Sequence, residues 1–215
     1  MEAPFRRGFL EGEGILKKLL LTSAGFENPK LGKKFLELVN KKASDIKIAF
    51  VPTASRIEEE RFYVNKSKLE LVKIGILAKN IKVLELDHKI LYSEIEKFDA
   101  VYVCGGNTFY LLYKTRETGF DKAVERFVEE GKVYVGVSAG SILAGPTIQF
   151  SHDENDIKVK DFTGLNLTKI IISPHYTDKE KSEIEINRKK VKSPIIPLMN
   201  NQALLVLGNE TKTIY

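Results

Sequence analysis

Apolar positions along the chain follow two alternating rhythms. Short, nearly continuous apolar runs at 18–22 (KLLLT), 46–51 (IKIAFV), 81–86 (IKVLEL), 100–103 (AVYV) and 133–137 (VYVGV) read as buried strands. Between them, 30–42, 59–76, 108–115 and 120–130 space apolar residues among charged ones and read as helices with one wet face. Two later runs, 170–173 (IIIS) and 203–207 (ALLVL), add further strands. Strands that are apolar throughout and alternate with helices predict an α/β fold. Its three layers are a mostly parallel sheet with helices on both faces. In such folds functional groups gather on loops at the carboxyl ends of strands, which directs attention to the segments after Val103, Val137 and Ser173.

Composition narrows the class without naming a chemistry. At 215 residues, with 43% hydrophobic and 29% charged residues, the chain is expected to form one soluble domain, residues 15–215. Residues 1–14 (MEAPFRRGFLEGEG) lack the apolar core of a secretory signal and are expected to be a disordered or added leader. A single cysteine, Cys104, excludes an internal disulfide and fits a reducing, cytoplasmic setting. No apolar run approaches the ~20 residues that span a bilayer, so no membrane partner is expected. The net charge of +5 is modest, and the lysines are spread along the chain without a basic stripe interleaved with aromatics. Nucleic acid is therefore not expected as a partner either. The three histidines form no ligand-spaced pair, so neither a metal nor another cofactor is expected. Oligomeric state is left open between monomer and homodimer.

The strongest chemical signal is the segment GKVYVGVSAGSILAGP. An apolar strand runs into Gly136-Val137-Ser138-Ala139-Gly140, and a small-residue apolar stretch follows. Strand, sharp turn and helix with a serine at the apex is the setting of a nucleophile elbow, where glycines relieve crowding around a strained residue. The helix that begins there aims backbone N–H groups at an oxyanion formed beside the serine. The same glycines also suit a plain turn between a buried strand and a helix.

Among the histidines, His88 follows a strand in LELDHK, and His152 lies in the polar stretch SHDEND. His175 directly follows an apolar run, in SPHYTD, and is best placed to meet Ser138 at the sheet edge as a general base. The loop Cys104-Gly105-Gly106-Asn107-Thr108 also follows a strand. Gly106 is a candidate second oxyanion donor beside Ala139, and Asn107 is a candidate for substrate binding or for capping the next helix. Cys104 itself reads as a small packed residue rather than a nucleophile.

GGNTFYLL at 105–112, GVSAGSILAGPTI at 136–148 and SPHYTD at 173–178 together resemble the peptidase E (aspartyl dipeptidase) family, peptidase family S51. LLLTSAGF at 19–26 and AFVPTAS at 49–55 fit as well, so the likeness covers nearly the whole chain from about Lys17. The resemblance implies a flavodoxin-like or class I glutamine amidotransferase-like fold and a metal-independent serine hydrolase acting on dipeptides or other short peptides. Ser138 would be the nucleophile, His175 the base, and Gly106 and Ala139 the oxyanion donors.

The chain departs from the family pattern in two places. The family's acid after the elbow helix is matched by Asp153, but the late-loop Glu or Asp is matched best by Asn200, in LMNNQAL. An asparagine oxygen can orient a histidine but cannot neutralise an imidazolium. Three readings stand: Asp153 supplies the charge, Asn200 suffices at a reduced rate, or the chain binds a small molecule or peptide without hydrolysis. An esterase would share the same site. In addition, the arginine that aspartyl specificity calls for after the histidine is missing. Lys179 and Lys181 are the nearest cations; either could substitute but both read as exposed helix-start residues, so a preference for an N-terminal aspartate is left open.

Overall fold

The computed structural model describes residues 16–215; the expected leader at 1–14 and the domain start at 15 lie outside the described residues. The apolar runs become β1 (Lys18–Thr22), β2 (Ile48–Val51), β3 (Ile81–Val83), β4 (Ala100–Val103) and β5 (Val133–Val137), all mutually parallel where they pair. Two short strands, β6 (Ile171–Ser173) and β7 (Ile195–Pro197), pair with each other in parallel, apart from the main sheet. The chain then returns through β8 (Ala203–Leu207) and β9 (Glu210–Ile214), which add on antiparallel. The seven-stranded order is β3-β2-β4-β5-β1-β8-β9.

The pleat of the central strands assigns alternate residues to opposite faces. Leu20, Phe50, Tyr102 and Val135 pack with Leu31 and Phe35 of α1 (Pro29–Val39) and with Val64 and Leu71 of α2 (Glu58–Lys73). On the other face, Leu21, Val51, Val101 and Tyr134 meet a group of shorter helices. These are α3 (Tyr92–Ile95), α4 (Thr108–Thr118), α5 (Phe120–Glu129) and α6 (Ala139–Leu143), which contribute Ile95, Leu111, Phe127 and Leu143. The fold is thus the three-layer α/β arrangement expected from the apolar rhythm. Among the described residues no helix is long and apolar enough to cross a membrane.

Helix boundaries follow local chemistry. Asn28 accepts the Lys30 N–H at 3.0 Å and Pro29 opens α1, which ends at Asn40 in the left-handed region (φ 55°). The helix read over 30–42 therefore stops early. Asn107 caps α4 by accepting the Tyr110 N–H at 2.9 Å, and Gly119 (φ 77°) closes it.

The sequence reading differs from the fold in the later third. The 170–173 run leaves the main sheet and forms the β6–β7 ribbon, which covers its own small core of Ile171, Ile184 and Ile195 with α7 (Lys181–Arg188). The edge strand β9 is largely exposed and polar (ETKTI), so no apolar alternation marks it.

One buried contact joins the sheet to the elbow. The Tyr134 hydroxyl donates to the Gly140 carbonyl at 2.7 Å, and Tyr134 is fully buried. Tyr134→Phe is expected to cost about 1–2 kcal/mol of unfolding free energy and to lower Tm by a few degrees. Calorimetry of the two proteins checks this; an unchanged Tm would mean the carbonyl finds another donor.

Candidate active site

Ser138 stands between β5 and α6 with φ 48° and ψ −109°, a region that a side chain occupies only at a cost of about 1–3 kcal/mol. Its surroundings hold it there. The Ser138 N–H donates to the Thr22 carbonyl at 3.1 Å, and the Ser138 carbonyl accepts the Ser141 and Ile142 N–H groups at 2.8 and 3.0 Å, starting α6. A side chain at Gly140 would collide with the Val103 carbonyl of the neighbouring strand, so the elbow can close only with glycine there.

His175 follows β6 in a left-handed conformation (φ 59°). Its Nε2 lies 2.9 Å from the Ser138 Oγ, and its Nδ1 lies 2.7 Å from the Asn200 Oδ1. An amide oxygen only accepts, so Nδ1 carries the proton and Nε2 is free to accept from the Ser138 hydroxyl. Three side chains from three loops thus form one hydrogen-bonded line.

A fourth residue, absent from the sequence reading, fastens this line. Ser23 follows β1 and is fully buried. Its hydroxyl accepts the His175 N–H at 2.7 Å and reaches the Asn200 Oδ1 at 3.5 Å, while its own N–H donates to the Gln202 carbonyl at 3.1 Å. No motif marks it in the sequence, only its place as a small polar residue directly after the apolar run of β1.

Asp153 goes elsewhere. Its Oδ2 accepts the Thr108 N–H and the Ser151 hydroxyl, both at 2.8 Å, which ties the 151–154 loop to the start of α4. Both ring nitrogens of His175 are already engaged, and the structure brings Asn200, not Asp153, to Nδ1. Asn107 is likewise committed: its oxygen caps α4 and its amide nitrogen donates to the Glu154 carbonyl at 2.8 Å. It is not among the residues lining the cleft, so the substrate-binding role considered for it is replaced by a structural one.

The cleft has a volume of about 440 Å³ and is lined by Ser23, Gly105, Gly106, Ser138, Asp153, His175 and Asn200, with Glu27, Glu60, Tyr63 and Lys66 on the α1–α2 side. Gly106 (φ 133°) presses so closely on the Ala54 carbonyl that no side chain fits. Its N–H, and that of Ala139, have no acceptor among the described residues. Gly106 lines the cleft, whereas Ala139 is fully buried directly after Ser138.

The remaining candidates take no part in this hydrogen-bonded line, although Cys104 borders the cleft. Cys104 is buried, and burial pushes its thiol well above the usual range, which keeps it in the unreactive form. His88 pairs with Asp87 and Glu94, and His152 with Glu183. Lys179 and Lys181 are exposed and away from the cleft; the cation that lines it is Lys66, ion-paired with Glu27. Among the described residues no group of three or more His, Cys, Asp or Glu side chains is arranged to hold a metal ion.

Comparison with known proteins identifies the family. The sequence profile of peptidase family S51 matches residues 19–214. The chain belongs to peptidase family S51. An uncharacterised peptidase of Pasteurella multocida is 32% identical over 93% of this chain and 97% of its own length. A peptidase E of a Nostoc species is 36% identical over 75% of this chain and 66% of its own. The crystal structure of a Listeria monocytogenes protein named as a candidate peptidase E superposes with a TM-score of 0.77 at 30% identity, covering 93% of this chain and 98% of that one. The S51 membership makes the chain a peptidase by family and fixes the fold.

In this S51 chain the Ser23 hydroxyl holds the backbone of the histidine loop. Ser23→Ala would leave the His175 N–H without its acceptor and is expected to cost about 1–3 kcal/mol. Urea unfolding measures the loss; an unchanged midpoint would show that the hydroxyl is dispensable.

Proposed function

We propose that this protein is a serine-type peptidase that hydrolyses dipeptides or similarly short peptides through an acyl-enzyme. The reading is carried by the line from Ser138 Oγ to His175 Nε2 and from His175 Nδ1 to Asn200 Oδ1, set on a positive-φ elbow. In this reading His175 accepts the proton of Ser138 as its oxygen attacks the scissile carbonyl, then returns it to the leaving amine. The N–H groups of Gly106 and Ala139 hold the oxyanion at the start of α6. Water, deprotonated by the same imidazole, releases the acyl group and restores Ser138.

The neutral third member sets the rate in this scheme. Asn200 fixes the ring and its tautomer, but the imidazolium formed during attack has no carboxylate against it. The alternative, a family member that binds peptides without cleaving them, draws its support from this same residue.

Incubation with a fluorophosphonate followed by intact-mass spectrometry separates the two readings. The wild type is expected to gain a single adduct that Ser138→Ala lacks. A folded wild type that stays unlabelled would favour the binding protein. A second variant tests the charge: Asn200→Asp keeps the hydrogen bond to Nδ1 and supplies the missing negative charge, so labelling is expected to speed up at least about tenfold. Equal or slower labelling would show that the neutral oxygen is not what limits Ser138.

A further inference from the structure

The cleft carries more negative charge than the proposed chemistry uses. Among the described residues three carboxylates line it, those of Glu27, Glu60 and Asp153, against the single ammonium of Lys66. Glu27 is the partner of Lys66. Glu60 accepts the backbone N–H groups of Arg56 and Ile57 at the start of α2. Asp153 has no cationic partner among the described residues. Both of its hydrogen bonds fall on Oδ2, from the Thr108 N–H and the Ser151 hydroxyl, so Oδ1 is left without a partner on a half-buried carboxylate at the cleft wall.

Its location adds to this. Thr108 lies two residues beyond Gly106, and this glycine loop is packed on the nucleophile, since a Cβ placed on Gly105 would stand 3.1 Å from the Ser138 Cβ. The carboxylate is therefore anchored to the same short segment that contributes the proposed oxyanion donor. In a peptide cleaved after its first residue, the α-nitrogen is only two covalent bonds from the carbonyl carbon under attack. A receptor for that nitrogen therefore has to stand close to the donors that hold the oxyanion. At neutral pH the α-amine is largely protonated and is a donor-only cation, the complement of a carboxylate oxygen without a partner.

We propose that Asp153 is the specificity-determining receptor for the substrate's free N-terminal ammonium. This assignment rests on the hydrolytic reading above and restricts it to peptides cleaved from an unblocked amino end. It gives Asp153 a role that does not pass through His175: one oxygen is fixed by the α4 terminus, and the other takes the substrate's charge. The other two carboxylates are already engaged, Glu60 by the Arg56 and Ile57 N–H groups and Glu27 by Lys66.

The test uses the intact wild-type protein and Asp153→Asn, with a mixed dipeptide library, its N-acetylated counterpart and the fluorophosphonate, which carries no amine. Wild type is expected to cleave the free library at least about tenfold faster than the acetylated one. Asp153→Asn keeps an oxygen for the Thr108 N–H and is expected to lose about 10- to 100-fold in kcat/KM on free dipeptides, chiefly through KM. Its labelling by the fluorophosphonate is expected to stay within about twofold of wild type, since Asp153 makes no hydrogen bond to Ser138 or His175. Acetylated peptides cleaved as well as free ones by the wild type would overturn the assignment, and this result does not depend on the variant's folding. Labelling that slows in the variant in step with hydrolysis would also overturn it, by placing Asp153 in support of Ser138 and His175. A wild type that takes no label and cleaves neither library would instead remove the hydrolytic reading on which the assignment rests.

Discussion

The positive-φ backbone of Ser138 costs energy that has to be recovered from its neighbours, and the organisation of the sheet around it serves that end. Thr22, the last residue of β1, makes most of the connections. Its carbonyl takes the Ser138 N–H and the Ser141 hydroxyl, while its hydroxyl donates to the Gly136 carbonyl at 3.0 Å and accepts the Gly25 N–H at 3.1 Å. Because β1 and β5 pair in parallel with Thr22 opposite Val137, the clamp sits one residue before the serine. The strain is local, and the ladder that opposes it runs through the middle of the core.

The residue after the clamp extends the same logic to the histidine. Ser23 reaches the His175 backbone and the Asn200 oxygen, so a single dipeptide at the end of β1 locates parts of the site that lie more than a hundred residues further along the chain. His175 also departs from ordinary backbone geometry, at φ 59°. Its loop is joined to the Asn200 loop through Tyr176 N–H to the Leu198 carbonyl and Leu198 N–H to the Ser173 carbonyl, at 3.0 and 2.9 Å. The β6–β7 ribbon thus ties the histidine loop to the asparagine loop. Their mutual distance is protected even though neither residue stands on the main sheet.

The apolar rhythm was enough to read the five parallel strands and the layering, because β2, β4 and β5 and the centre of β1 are buried on both faces and almost wholly apolar, and the short edge strand β3 still opens on an apolar run. It failed where burial is partial. The exposed strand β9 has no apolar face to announce it, and β7 is three residues ending in proline. The apolar run before His175 reads as one more strand of the sheet, since a strand covering a small separate core of Ile171, Ile184 and Ile195 has the same local pattern. The elbow serine and the late histidine were legible from their positions after apolar runs. Ser23 was not singled out, because a hydroxyl that works through backbone N–H groups carries no motif. The choice between Asp153 and Asn200 needed coordinates, since both follow the elbow in sequence and only space separates them.

Accounting for donors and acceptors resolves that choice more firmly than residue type does. A histidine offers two ring nitrogens; here one faces Ser138 and the other Asn200, so no direct bond remains for an aspartate. Asp153, for its part, is held by two donors on one oxygen at the head of a helix, where a negative charge also complements the helix dipole. By residue type, an acid beside the elbow looks like the missing member of a triad and an asparagine looks like a defect. By hydrogen-bond accounting, the asparagine is the partner that fits, an acceptor with no charge of its own. The acid is a fixed charge with one oxygen still available at the cleft wall. A carboxylate so placed acts on whatever cation enters the cleft, and in a short peptide the cation nearest the reacting carbonyl is its own amino terminus.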